Sequence, residues 1–121
     1  MNLSFRFAGR IRPFVRYELN AAARHDALHE PATAFRHLER AHVLGQTSTV
    51  EHVRVHAAML RWAWRHRQLA EALGQAWRLA GALLKTWLRV PTGNTGGAGV
   101  SGFARMPVPP DLQRLIDAAR R

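Results

Sequence analysis

Apolar positions recur at helical spacing through most of the chain, and the breaks between these runs fall at proline, glycine and hydroxyl-rich turns. Proline suits a first helical position, where its missing N–H would be unpaired anyway. Pro13 therefore predicts the start of a first helix, with Phe14, Tyr17, Ala21 and Leu28 on one stripe and Val15, Leu19 and Ala22 widening it. Pro31 opens a second helix in the same way, with Ala34, Leu38 and Ala41 as a narrow face and Phe35 and His42 beside it. Gly45 is read as its stop, because glycine enters the left-handed conformation without cost. Thr47, Ser48 and Thr49 then offer N-cap oxygens.

The third predicted helix spans about 49–66. Val50, Val53, Ala57, Leu60 and Trp64 form its main stripe, and Arg54, Arg61 and Arg65 lie at one edge of it. A second apolar set, Val55, Met59 and Trp62, lies away from the first. A helix apolar on two sides is usually covered on two sides, so this set is a candidate interface, to be covered either by the tail around Phe103–Val108 in a monomer or, the favoured solution, by a two-fold dimer. The fourth helix, about 67–89, carries Leu69, Leu73, Ala76, Ala80, Leu83 and Trp87 on one stripe and Glu71, Gln75, Arg78, Lys85 and Arg89 on the polar side. The stripes place Leu60 and Leu73 in the core. Short loops predict antiparallel neighbours.

Residues 1–12 read as a basic N-terminal arm, 13–90 as the helical domain, and 91–121 as a Gly/Pro-rich loop and short terminal helix packed on the same domain. Phe103, Met106, Val108 and their neighbours are read as extended. Asp111 follows Pro110 at the start of the terminal helix, where a carboxylate complements the helix dipole. The expected fold is all-α, with about four main antiparallel helices, a Gly/Pro-rich tail and a short C-terminal helix.

Ala22, and then Ala34, Leu38 and Ala41, put small and apolar residues where helix pairs of the tetratricopeptide kind put them, and Ala72, Ala76 and Leu79 fit more loosely. The chain resembles such helix pairs. Longer segments carry a second resemblance: residues 34–46, AFRHLERAHVLGQ; 52–56, HVRVH; 90–97, VPTGNTGG; and 106–112, MPVPPDL. In these it resembles the uncharacterised bacterial domain-of-unknown-function family numbered 3703. That resemblance implies a fold and brings no activity with it.

Composition narrows the chemistry. With 121 residues and 47 % hydrophobic content, the chain fits one domain with a real core. It has no cysteine, which excludes disulfides, zinc–thiolate sites and thiol catalysis. No apolar run approaches the ~18 residues of a membrane span, so no membrane partner is expected and the location is read as cytoplasmic. The formal charge is +10, and of the 18 basic side chains only Lys85 is a lysine. Such a balance suits an acidic partner. An arginine skew with abundant alanine also follows from GC-rich coding, and the arginines are spread from Arg6 to Arg121 instead of clustered.

His52 and His56 are four apart on one helix, which puts both imidazoles on one face, the spacing of two-histidine metal sites. His42, at the end of the preceding helix, is the candidate third ligand. No His-Glu-x-x-His motif is present. The alternative is that these histidines hydrogen-bond to backbone or to Gln46. His37 is read as a solvated or interhelical residue. Asn94, Thr95, Gly96 and Gly97 offer a nest of backbone N–H groups for an anion, or simply the turns that reverse the tail. No catalytic constellation is visible. The leading expectation is a non-enzymatic module that binds a protein or peptide, favouring an acidic one. The rivals are a metal-binding accessory protein using His42, His52 and His56, and an arginine-driven nucleic-acid binder. The leading reading calls for no cofactor, and only the histidine reading brings in a divalent metal.

Overall fold

The computed structural model describes residues 3–84 and 106–121. These form five helices: α1 (Leu3–Ala27), α2 (Pro31–Gly45), α3 (Thr49–Arg65), α4 (Leu69–Leu84) and α5 (Pro110–Arg120). The fold is all-α. Consecutive helices pack as the pairs α1–α2 and α3–α4, α2 and α3 join the pairs, and α5 lies against α1 and α2. None of the described helices is long and apolar enough to cross a membrane.

The first helix starts ten residues earlier than the pattern predicts. Residues 3–12 are helix, not an arm, and Pro13 lies inside α1. Burial explains this. Ile11 and Val15, four apart, are fully buried in one cluster with Leu112 and Ile116 of α5. Proline removes a backbone hydrogen bond to the carbonyl four residues before it, here Gly9. Pro13 is exposed, so that carbonyl lies on the water side of the helix.

The buried face of α1 runs through Ile11, Val15, Glu18 and Ala22, while Phe14, Tyr17 and Leu28 are exposed. In α2 the predicted face is the buried one: Ala34, Leu38 and Ala41 are all inside. Gly45 does not adopt the left-handed conformation, and Gln46 after it is still right-handed helical. Its role is proximity, because a Cβ there would lie 3.0 Å from that of Glu51. Ser48 caps α3 and accepts the Glu51 N–H at 3.5 Å.

On α3 the second apolar set takes the core, and the main stripe is half-buried at Val53, Ala57 and Leu60 and exposed at its ends. Val55 and Met59 are fully buried in the core of the single chain, whereas Val50 and Trp64 are exposed. Trp62 packs on Phe35 with ring centroids 4.5 Å apart and donates its indole N–H to the Pro31 carbonyl at 3.1 Å. Val55 and Met59 of the candidate interface are therefore buried by the chain itself and are not available to a second copy, while Trp62 is half-buried. Burial on α4 is inverted as well. Leu69, Leu73 and Trp77 are exposed, while Ala72 and Gln75 are buried.

The turns closing α1 and α3 are the same motif. His29 and Arg67 are left-handed, with φ of 59° and 56°. At the first turn the Glu30 and His29 N–H groups bond back to the His25 and Asp26 carbonyls, and at the second Gln68 and Arg67 bond back to Ala63 and Trp64. This pair of bonds is the Schellman closure, which glycine usually provides. Asp26 ties the two turns together. It reaches the His66 ring at 2.5 Å and also pairs with Arg65.

Candidate metal centre

Three elements build the site. The end of α2 supplies His42, successive turns of α3 supply His52 and His56, and α4 supplies the groups behind them. His42 and His56 are 1 % and 2 % exposed, and His52 is half-buried at the rim. The His56 Nε2 lies 3.2 Å from that of His42 and 2.8 Å from that of His52. One ligand atom from each residue falls within 4.8 Å of the other two. The sequence spacing brings together the three histidines it nominated. Gln46, their suggested hydrogen-bonding partner, instead has a buried amide oxygen with no hydrogen-bond partner among the described residues.

The hydrogen bonds fix the tautomer of His56. Gln75 donates its amide N–H to Glu71 Oε1 at 2.8 Å, so the amide oxygen must point the other way. That oxygen lies 2.5 Å from His56 Nδ1. Nδ1 therefore carries the proton, and Nε2 presents a bare lone pair to His42 and His52. Burial holds His56 below the usual histidine range despite the raising effect of Gln75. Burial, with the neighbouring His56 and the Arg78 charge, pushes His52 down to about 4. At neutral pH these two rings are uncharged, the form that binds metals.

The polarity pattern of α4 places Gln75 and Glu71 on a polar outer face. They form the supporting layer of the site instead. The polarity period of α4 alone cannot reveal this, because the surroundings that make a polar residue face inward come from α2 and α3.

His37 is interhelical, bonding Glu18 at 2.6 Å, and Arg40 joins the same carboxylate at 3.0 Å. Glu51 is fully buried and held by Arg12 at 2.9 Å, with Arg54 at 3.6 Å. The loop of Asn94, Thr95, Gly96 and Gly97, and Trp87, lie outside the described residues.

A family model described as "Protein of unknown function (DUF3703)" matches residues 9–116. The chain belongs to this family. The DUF3703 match takes in all three histidines and both supporting residues of α4. No curated protein and no solved structure matches the chain.

Proposed function

We propose that this DUF3703 protein binds one divalent transition-metal ion through His42, His52 and His56. The observation that carries this reading is the convergence of three imidazole nitrogens inside the fold. Two ligands of a tetrahedral site with metal–nitrogen bonds of 2.0–2.1 Å sit about 3.3 Å apart, close to the 3.2 and 2.8 Å found. Without an ion, the single in-plane lone pair of His56 Nε2 can accept from only one of its two neighbours, His42 and His52. An ion accepts all three lone pairs at once. The Glu71–Gln75–His56 chain supplies the outer support that orients a ligating histidine and raises its basicity.

Three imidazoles with no thiolate suit zinc, cobalt, nickel or cupric copper better than magnesium or calcium, which prefer oxygen. Three protein ligands leave a coordination place for water or a carried ligand. Isothermal titration of metal-free protein with zinc, nickel and cobalt tests the reading. One equivalent of metal should bind, and the heat should vanish in the His52→Ala, His56→Ala double variant. His52→Ala alone, at the half-buried rim, keeps the test usable if the double variant does not fold. No heat at submillimolar metal ends the reading.

Peptide binding is the second reading. It is favoured by a groove of about 360 Å³ between α1 and α3, floored by Leu19, Ala22 and Ala58 and edged by Arg54, Arg61 and Arg65. Arg65 already pairs with Asp26 and Arg54 with Glu51, so this wall offers less charge to an acidic peptide than its arginines suggest. An acidic peptide library should select against Arg61→Ala if this groove is used.

A further inference from the structure

The fold undoes the dispersal of arginines seen along the sequence. The start of α1 and the end of α5, more than a hundred positions apart, meet at a cleft of about 340 Å³. Arg6, Arg10, Arg120 and Arg121 line it, with Phe7, Thr47 and Ala119, and no carboxylate side chain is among the lining residues. All four arginines are exposed, so their guanidinium groups stay charged and free to turn.

Arg12, Arg40, Arg54 and Arg65 each reach a carboxylate. Like Arg24, Arg61 and Arg114, the arginines of the cleft make no ion pair among the described residues, and what sets them apart is that four of them line one cleft. Four guanidinium groups around one small cleft repel each other, a repulsion that the α-carboxylate at Arg121 offsets only in part, and an anion there relieves it. A guanidinium offers a planar fork of N–H donors that matches phosphoryl oxygens two at a time, and Thr47 adds a hydroxyl.

We propose that this cleft binds a compact oligophosphate, a ligand with two or more adjacent phosphoryl groups. The charges are gathered around one cleft rather than laid out as a track, which favours a compact ligand over an extended nucleic-acid backbone. This site lies apart from the three histidines and does not depend on a metal there.

Titration of inorganic tripolyphosphate into the metal-free full chain, at low and at moderate salt, tests it. Tripolyphosphate should raise the melting temperature, and its affinity should drop at least tenfold in Arg10→Ala, Arg120→Ala. The Arg36→Ala, Arg61→Ala control, which removes as much charge elsewhere, should bind as the wild type does. Arg6→Ala, Arg121→Ala should reproduce the loss, which guards against a folding defect in the first variant. Equal weakening in the control, or no binding at millimolar tripolyphosphate, overturns the proposal. So does a 20-nucleotide DNA that binds more tightly through the same arginines and is not displaced by tripolyphosphate, because that outcome makes the cleft part of a nucleic-acid track.

Discussion

Helices α2 and α4 have equally regular apolar stripes but opposite fates. In α2 the stripe of Ala34, Leu38 and Ala41 is buried. In α4 the stripe beginning Leu69, Leu73 is exposed and Gln75 is fully buried. The difference lies in what each helix faces. Most of α2 meets an apolar interior made by Ile11, Val15 and Met59. The inward side of α4 meets His56, which needs a hydrogen-bond acceptor for its Nδ1. A hydrophobic period predicts the buried face only where the neighbouring interior is itself apolar. At a polar interior the favourable partner is the side chain that completes the hydrogen bonds.

Truncating one residue of the apolar interior and one of the exposed α4 stripe separates the two cases most strongly. Met59→Ala, in the apolar interior, should lower unfolding free energy by about 2–5 kcal/mol through lost transfer energy and a residual cavity. Leu73→Ala, on the exposed stripe, should stay within about 0.5 kcal/mol of wild type. Urea midpoints measure both, and equal losses would restore the register expected from the periodicity.

Next in size is Gln75→Leu. On pattern alone, an apolar residue at a buried helix position should stabilise. Here it leaves the His56 Nδ1–H buried without its acceptor, and the expected cost is about 1–3 kcal/mol. The same change should weaken metal binding about 10- to 100-fold, as loss of outer support does. A gain in stability, with metal affinity unchanged, would show that Gln75 is a packing residue only.

The pH dependence sharpens the contrast further. His52 titrates near 4 in the folded chain, below its ordinary value of 6.5. Between these values the unfolded chain binds the extra proton, so acid favours unfolding. In the metal-free protein this contribution is fully present above about pH 6.5 and is lost as pH falls toward 4. His52→Asn should flatten that part of the curve. A slope that survives the substitution would assign the effect to other groups.

The smallest effect is expected at a turn. Arg67 holds φ of 56°, a conformation that costs a non-glycine residue roughly 1–2 kcal/mol. Arg67→Gly should recover part of this, up to about 1 kcal/mol, and thermal melting would detect it. A clear loss would mean that the Arg67 side chain contributes more than its backbone strain costs.

Local chemistry made the helical class and the position of α2 legible, narrowed the α3 cap to Thr47, Ser48 or Thr49, and nominated the three histidines without separating a metal site from simple hydrogen bonding. The i,i+4 pair of His52 and His56 survives any change of helix register, and the short α2–α3 turn places His42 beside it. What the sequence concealed depends on long-range contacts. Helix α1 extends back through Pro13 because α5 covers Ile11 and Val15, and that contact spans about a hundred residues. The Schellman turns at His29 and Arg67 lack the glycine that usually marks them. The two apolar sets of α3 are alike in composition, and their roles are decided by which neighbour is present. The arginine cleft is visible only once the fold joins α1 to α5.

On the function proposed above, the three imidazoles act together as ligands to one ion. Cobalt(II) titration followed by visible absorption tests it most directly, because the d–d bands report both the number of bound ions and their geometry. A three-histidine site should give the intense bands of a four-coordinate ion, saturating at one equivalent and displaced by zinc. They should weaken in His52→Ala and vanish in the His52→Ala, His56→Ala double variant. Only the weak spectrum of hydrated cobalt at every ratio, from a folded wild-type protein, would contradict it.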